Sequence, residues 1–383
     1  TDLKTRFGDA RRPRIVPAFT ERTLEDLIPD ADIVVLVTRD GYVKRLPLDQ
    51  YRRQRRGGKG LVQMETKEED FVTRTFVTRT HDHVLFFTSL GRVYKLKAYE
   101  LPEGSRHSKG KALINLLPKL KDGERVGTLL PVRELGGAGS LLFATRRGLV
   151  KRTELEQFLN IRTNGIQAIN LEEGDELVGV ALIADPSAHA VLATASGQLV
   201  RFPLSEVRPT GRATYGVIGA RLADPASDRV VTMAPVSSAY PHLLTLSSTG
   251  FGKRSKFDEY RETRRGARGV RTLRTGGRNG SVVGVLPVRE DQEVLVTTQN
   301  GITIRIPVAG IRAQGRNTLG VRIIRLEEGD AVKDAVALDP PPEAEDAPAA
   351  PPPPPGAPEE GEEEPAEDVG TDAPEDDAPP PPG

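Results

Sequence analysis

One short phrase occurs six times along this chain: an apolar run, a Ser or Thr, two residues, a glycine, and a second short run that carries a cation. The first copy covers residues 33–46 and turns at Asp40-Gly41. Tight β-hairpin turns need positive φ, which Gly and Asn tolerate. The sequence therefore predicts six β-hairpins, whose turn glycines are Gly41, Gly91, Gly148, Gly197, Gly250 and Gly301.

The spacing of these glycines is that of propeller blades. Successive turns lie 50, 57, 49, 53 and 51 residues apart. The unbroken apolar run at residues 33–37 indicates a strand buried on both faces, as in the inner strand of a blade. A short strand such as residues 112–114 and a further strand such as residues 178–183 complete units of about four strands.

Units of this kind cannot bury their faces alone, so a closed ring is expected. Closing six units into a ring removes most exposed strand edges. The predicted fold is an all-β ring of six blades over residues 31–339, with an open solenoid as the structural alternative. Residues 1–30 are not part of the repeat; residues 9–14 are polar and basic, and the whole segment is interpreted as a connector that enters the first blade. Residues 340–383 are rich in Pro, Glu, Asp and Ala and are expected to form a disordered acidic tail.

The net charge of zero conceals a segregation of charge along the chain. Residues 340–383 contain 14 acidic residues and no basic ones, so residues 1–339 carry a net charge of +14. A basic body with an acidic tail is typical of a protein that binds a polyanion. The alternative is that the positive excess serves solubility.

A cation stands four residues after every turn glycine, at what we call position +4. Cations on a strand edge can also discourage sheet-to-sheet pairing, and this alternative accounts for the six residues by themselves. In three repeats a lysine directly precedes position +4, at Lys44, Lys151 and Lys253. These three lysines are included with the predicted DNA contacts. The residues at position +4 are Arg45, Lys95, Arg152, Arg201, Arg254 and Arg305.

The loops that follow the hairpins pair glycine with further cations in most repeats. Glycine lets a backbone approach a phosphate closely while Arg and Lys neutralise it, so we expect sequence-independent, salt-sensitive contact with DNA that bends around a basic rim. The third repeat, with Arg162, has the least charged loop. The predicted contacts in these loops are Arg55, Arg56, Lys59, Arg106, Lys109, Lys111, Arg212, Arg264, Arg265, Arg268 and Arg316.

Catalytic and metal-binding motifs are not found in the sequence. The chain has no cysteine, no zinc spacing and no phosphate-cradling glycine loop with its Lys-Ser/Thr. The recurring Glu-Glu-Gly-Asp segments at residues 172–175 and 327–330 are interpreted as turns that join strands rather than as metal sites. We expect no catalytic residue, no metal and no cofactor, no membrane partner, and a cytoplasmic location.

The segment from Gln54 to Gly60, QRRGGKG, carries a family resemblance. It matches the seven-residue box that distinguishes the C-terminal domain of DNA gyrase A proteins from its topoisomerase IV counterpart. The six repeats resemble the blades of that domain. We call Gln54, Arg55, Arg56, Gly57, Gly58, Lys59 and Gly60 the box.

The resemblance implies a β-pinwheel, in which neighbouring blades exchange strands, and DNA wrapped in a positive sense to support negative supercoiling. It implies that Arg55, Arg56 and Lys59 contact phosphates while the box glycines shape the loop. It also implies that the cleaving tyrosine lies upstream, that the ATPase belongs to the gyrase B protein, and that the assembly is A2B2 and associated with the nucleoid. The box could instead latch the first blade to the last. A topoisomerase IV domain and a protein-interaction hub remain as alternatives.

Overall fold

The computed structural model describes residues 25–38, 40–50, 61–62, 72–105, 108–117, 119–121 and 123–339. Within these ranges the strands form six four-stranded sheets. The first twelve strands are β1 (Asp32–Thr38), β2 (Tyr42–Pro47), β3 (Leu61–Val62), β4 (Val72–Arg79), β5 (His83–Thr88), β6 (Arg92–Lys97), β7 (Lys111–Ala112), β8 (Val126–Val132), β9 (Ser140–Thr145), β10 (Leu149–Glu154), β11 (Ile166–Gln167) and β12 (Leu177–Ile183).

The second half of the ring repeats this order. Its strands are β13 (His189–Thr194), β14 (Gln198–Pro203), β15 (Val217–Ile218), β16 (Val230–Val236), β17 (His242–Ser247), β18 (Phe251–Lys256), β19 (Val270–Arg271), β20 (Val282–Val288), β21 (Glu293–Thr298), β22 (Ile302–Pro307), β23 (Val321–Arg322) and β24 (Val332–Leu338). One helix, α1 (Leu113–Leu116), replaces the strand predicted beyond Ala112. Short 3-10 turns occupy Glu25–Leu27, Leu48–Gln50, Ala98–Glu100, Leu155–Phe158, Leu204–Glu206, Phe257–Glu259, Gly277–Asn279 and Val308–Gly310.

The six predicted hairpins are confirmed, and the recurring Ser or Thr has a physical role. In the first hairpin the hydroxyl of Thr38 accepts the backbone N–H of Tyr42 at 3.1 Å, while Gly41 takes a φ of +82°. The same hydroxyl bond closes the other five turns, and all six turn glycines have positive φ. The recurring Ser or Thr thus closes the turn, because its hydroxyl accepts the backbone N–H of the residue that follows the glycine.

The innermost strand of each blade is the last of its repeat. Strands β4, β8, β12, β16, β20 and β24 contact one another in succession, and β24 contacts β4, so the ring is closed. The prediction that the run at residues 33–37 is buried on both faces is confirmed, and the run forms the second strand from the axis rather than the innermost one. Strand β1 lies between β4 and β2 in the sheet, one place away from the axis, and its two faces are buried against the second blade and the last blade.

Each blade takes its outermost strand from the next repeat. The second strand of each hairpin pairs with a two-residue strand that follows the next hairpin, so β2 pairs with β7, β6 with β11 and β10 with β15. The last blade is completed by the first repeat, because β22 pairs with β3 through Ile302–Val62 and Thr303–Leu61. This exchange is the feature that the family resemblance implied.

The hydrophobic core lies between neighbouring blades. Phe87 of the second blade and Phe143 of the third pack edge to face, with their ring centroids 5.6 Å apart. At the seam between the first and last repeats, Val34 and Leu36 share a buried cluster with Leu295. Since aromatic and aliphatic burial drives folding, each blade depends on its neighbours for its core.

A cavity of about 180 Å³ lies among the innermost strands. The guanidinium of Arg74 on β4 donates to the carbonyl oxygen of Val178 on β12. Asp334 on β24 accepts the backbone N–H of Thr75 at 2.7 Å, and burial raises the pKa of this carboxyl. The first, third and last blades are therefore joined by polar contacts at the axis.

Candidate nucleic-acid interface

The segments that carry the predicted contacts lead from each hairpin to the exchanged outer strand, and we call them the rim loops. In the second to sixth repeats they comprise residues 104–110, 162–165, 210–216, 263–269 and 314–320, with residues 106 and 107 outside the described part. The rim loop of the first repeat holds the box, and residues 51–60 lie outside the described residues. The strand that follows the box, β3, lies on the last blade.

The rim loops of the second and fifth repeats present exposed cations. Among the predicted contacts, Lys109 and Lys111 are exposed in the second repeat, and Arg264, Arg265 and Arg268 are exposed in the fifth. In the third repeat the least charged loop still exposes one cation, Arg162. These cations therefore lie on accessible segments at or beside the outer strands.

Arg212 and Arg316 are half-buried, and their loops are fixed by a neighbouring residue that sequence reasoning missed. The backbone N–H of Arg316 donates to the carboxylate of Glu259 at 2.8 Å, and the backbone N–H of Arg212 donates to Gln157 at 3.2 Å. Arg265 makes the same bond to Glu206 at 2.8 Å. The signal was present, because each acceptor stands nine residues after a turn glycine.

Most cations at position +4 are engaged within the ring. Arg45, Arg201 and Arg254 donate to carbonyl oxygens of the next repeat, such as the 2.6 Å bond from Arg254 to Ile311. Arg152 bonds the hydroxyl of Ser140 and Arg305 bonds the carboxylate of Glu293, each on the partner strand of the same hairpin. Their recurrence is thus explained largely by the fastening of strands. Lys95 is partly exposed.

The lysines before position +4 lie inside the blades rather than on the rim. Lys44 and Lys253 are fully buried and Lys151 is 2% exposed. Each ammonium group donates to at least one rim-loop oxygen of the next repeat; Lys44 bonds the carbonyl oxygens of Ser105 and Ser108 at 2.8 Å. The predicted direct contact of these three residues with a phosphate is corrected, because a buried ammonium held by carbonyl groups has no exposed face for DNA.

Burial lowers the pKa of two of these lysines. The pKa of Lys151 is lowered to about 8, first by burial and then by the charge of Arg212. The pKa of Lys253 is lowered to about 8 by burial and by Arg316, while Glu259 opposes the shift. Removing an ammonium from water disfavours its charged form, so both groups titrate just above neutral pH.

The acidic turns have a structural use. Asp175 accepts the backbone N–H groups of Arg147 and Glu176, and Asp330 accepts those of Asn300 and Ala331. These carboxylates therefore brace the hairpin turn of their own blade. Among the described residues, no three His, Asp or Glu side chains are grouped as metal ligands. No helix of the described part has the length and apolar character needed to cross a membrane.

A closed six-bladed propeller with exchanged outer strands and exposed cations on its rim loops defines the class of this chain. The chain belongs to the family described as DNA gyrase C-terminal domain, beta-propeller. The family's sequence model matches one segment per blade, at residues 32–79, 82–133, 139–184, 188–237, 241–289 and 292–339.

Relatives and solved structures agree with this assignment. The DNA gyrase A protein of Deinococcus deserti is 43% identical over 335 residues, which cover 87% of this chain and 41% of that protein. The gyrase A protein of Mycolicibacterium smegmatis is 43% identical over 333 residues, or 86% of this chain and 39% of that protein. The chain thus spans about two fifths of the length of these curated relatives.

Two solved structures share the fold. The structure of a DNA gyrase A C-terminal domain matches with a TM-score of 0.73 and 27% identity, covering 80% of this chain and 99% of that one. The C-terminal domain of a DNA topoisomerase IV matches with a TM-score of 0.60 and 27% identity, covering 82% of this chain and 94% of the other. The better superposition is with the gyrase domain.

Proposed function

We propose that this chain binds, bends and wraps duplex DNA around its rim loops without reading sequence and, as part of a DNA gyrase A protein, supports the introduction of negative supercoils. The observation that carries the proposal is the placement of exposed cations on rim loops at matching positions of different repeats, as at Lys109 in the second and Arg268 in the fifth. Both stand 18 residues after the turn glycine of their repeat.

Electrostatics favour this function. Residues 1–339 have a net charge of +14, and neutralising phosphates releases counterions from DNA. Within the described residues the one α-helix, α1, has four residues, which is too short to read a major groove. Sequence-independent contact with the phosphate backbone is what this combination supports.

The box has two proposed roles. Arg55, Arg56 and Lys59 contact phosphates, and Gly57, Gly58 and Gly60 shape the loop. Because β3 follows the box directly and pairs with β22, the box loop also connects the first repeat to the blade that closes the ring. Both roles support wrapping, since a bent DNA path requires contacts and a closed disc that presents them.

Within this proposal the chain has no catalytic step of its own. The cleaving tyrosine belongs upstream in the full gyrase A protein and ATP hydrolysis belongs to the gyrase B protein, and the two assemble as A2B2 on the nucleoid in the cytoplasm. The acidic tail, residues 340–383, lies outside the described residues. Its proposed role is competition with DNA for the rim.

The test is topological. Relaxed circular plasmid is closed by a topoisomerase in the presence of the chain, and the writhe of the product is read on a gel. Wrapping in a positive sense gives positively writhed plasmid. The logarithm of the affinity should fall linearly with the logarithm of the salt concentration, with a slope of about −0.9 per phosphate neutralised. Salt-independent binding with no change in writhe would overturn the proposal and favour the protein-interaction hub. The complete box favours gyrase over topoisomerase IV.

A further inference from the structure

The residue three positions after the turn glycine alternates in chemistry around the ring. It is lysine in the first, third and fifth blades, at Lys44, Lys151 and Lys253. In the second, fourth and sixth blades the residues are Tyr94, Val200 and Ile304, which are all buried. The strand pairing is the same in all six blades. The alternation therefore changes only the side chain that lies beneath successive rim loops.

Each lysine holds the rim loop of the following repeat, because the outermost strand comes from that repeat. Lys253 donates to the carbonyl oxygen of Gly315 at 2.6 Å and to the hydroxyl of Thr318 at 3.1 Å. Lys151 donates to the carbonyl oxygen of Arg212 in the rim loop of the fourth repeat, and also to that of Ala168 in its own repeat. Lys44 donates to the carbonyl oxygens of Ser105 and Ser108. The rim loops of the second, fourth and sixth repeats are therefore all bonded to a lysine inside the blade.

The loops of the third and fifth repeats rest on other groups. A methyl group at Gly165 would meet the ring of Tyr94 at 2.8 Å, and one at Gly269 would meet Val200 at 3.0 Å. The hydroxyl of Tyr94 lies 3.1 Å from the carboxylate of Glu124 and from the carbonyl oxygen of Lys119, and neither acceptor belongs to a rim loop. Beneath these loops the side chain at this position packs against a loop glycine without donating to the loop, and in the third repeat the guanidinium of Arg92 donates to the carbonyl oxygen of Asn164.

We infer that Lys44, Lys151 and Lys253 are positioning residues for DNA binding: each fixes the backbone of a rim loop from inside the blade, so that the loop meets phosphate in a preformed shape. The inference rests on the proposed function. A loop that is already ordered loses less conformational entropy on binding, which strengthens binding without a new contact. The fourth and sixth rim loops carry one predicted contact each, Arg212 and Arg316, and depend most on such order.

A buried ammonium also places positive charge below the loop. Arg212 faces Lys151, while Glu259 and Arg316 face Lys253. A phosphate brought to either loop favours the charged lysine, so DNA binding is coupled to proton uptake near pH 8. Affinity for DNA should therefore fall as pH rises above 8, more steeply than in a variant without these lysines.

The experiment compares the full chain with a variant that combines Lys44→Met, Lys151→Met and Lys253→Met, which keeps most of the side-chain volume. Hydrogen exchange of the free protein should become faster in the rim loops of the second, fourth and sixth repeats and stay unchanged in those of the third and fifth. Affinity for a duplex long enough to wrap should fall about three- to tenfold. Because no phosphate contact is removed, the dependence of log affinity on log salt should keep its slope.

Two control variants use the same replacement residue. Ile304→Met occupies the equivalent position of the sixth blade, where no lysine is removed, and should leave loop exchange and DNA affinity unchanged. Lys111→Met removes an exposed predicted contact and should reduce the salt slope by about 0.9. Thermal unfolding of every variant shows that the ring is intact, and each single lysine variant gives the same test if the triple variant does not fold.

A salt slope reduced by about 0.9 per lysine would mean direct phosphate contact and would overturn the inference. Unchanged loop exchange together with unchanged affinity would do so as well. If the wild-type chain does not bind DNA while exchange in the even-numbered loops still depends on the lysines, the proposed function fails and the loop-fixing contacts stand.

Discussion

The Nη2 atom of Arg74 in the first blade lies 2.6 Å from the carbonyl oxygen of Val178 in the third blade. The bond joins β4 to β12 past the second blade, whose innermost strand β8 lies between them in the ring. Asp334 of the sixth blade lies close enough for the charge of Arg74 to act on its pKa. One guanidinium thus connects three blades at the point where the innermost strands converge.

Replacing Arg74 with alanine should lower the free energy of unfolding by about 2 kcal/mol, because a charged hydrogen bond is lost and the buried carboxylate of Asp334 loses its countercharge. Chemical denaturation of the full chain measures this. Arg79→Ala is the matched control on the same strand, since Arg79 forms a surface ion pair with Asp30 at 3.1 Å. Equal effects of the two changes would contradict the role given to Arg74.

Gly320 should tolerate no side chain. It has a φ of +79°, and a methyl group there would lie 2.6 Å from the carbonyl oxygen of Gly252 on the preceding blade. Gly320→Ala should cost about 3 kcal/mol of unfolding free energy, since backbone strain and a clash add. Gly329 has a φ of +81° with no atom within 4 Å of an added methyl group. Gly329→Ala isolates the strain and should cost about 1 kcal/mol.

Replacing Arg55, Arg56 and Lys59 with alanine should reduce the writhe constrained in plasmid more than it reduces DNA binding, because other blades still hold the DNA. The matched control replaces Arg264, Arg265 and Arg268, which stand at the same distances from the turn glycine of the fifth repeat. Both variants remove three cations, but only the first alters the loop before β3. Equal loss of wrapping in both would count against a special role of the box.

Raising the pH should stabilise the fold through Lys151 and Lys253 while it weakens DNA binding. Their folded pKa of about 8 lies below the ordinary lysine value of 10.5, so between these values the unfolded chain binds more protons. The free energy of unfolding contributed by these groups therefore rises with pH across that window. Denaturation at a series of pH values should show the free energy of unfolding of the wild-type chain rising above pH 8 relative to that of the triple methionine variant. Parallel curves would contradict the shift.

Removing the acidic tail after Asp339 should tighten DNA binding at low salt and have little effect at high salt. The 14 carboxylates are tethered to the basic body, which gives them a high effective concentration at the rim. Their attraction to exposed cations is screened over about 10 Å at 0.1 M ionic strength. Affinities of the truncated and full chains are compared at two salt concentrations. Identical affinities at low salt would leave the tail without a regulatory role.

The hairpins and the ring could be predicted because the turn chemistry is local. Thr38 and Gly41 specify one turn, and its repetition at a blade-sized spacing specifies the architecture. Strand exchange could not be read from the residues, because the exchanged strands have two residues each, too few for any periodic pattern. The position of β1 in the sheet could not be predicted either. Its apolar run indicates burial on both faces but does not show which place in the sheet the strand takes.

At the candidate interface the sequence located the exposed cations but not the buried ones. Nothing in the spacing of Lys44 and Arg45 shows which side chain turns into the blade. The useful signal was the comparison between repeats, since Lys44 occupies the place taken by Val200 and Ile304, and those residues face the core. A cation that aligns with apolar residues of other repeats indicates a buried, bonded lysine.

Strand exchange also fixes the order in which this ring can be completed during synthesis. Because each outer strand comes from the next repeat, a blade that has just left the ribosome has an uncovered edge until more chain follows. The edge of β2 is covered as soon as β7 emerges, but β3 finds its partner only when β22 has been made. Strand β3, which directly follows the seven-residue box in the sequence, is therefore among the first strands of the ring to be made and pairs only near the end of synthesis of the ring.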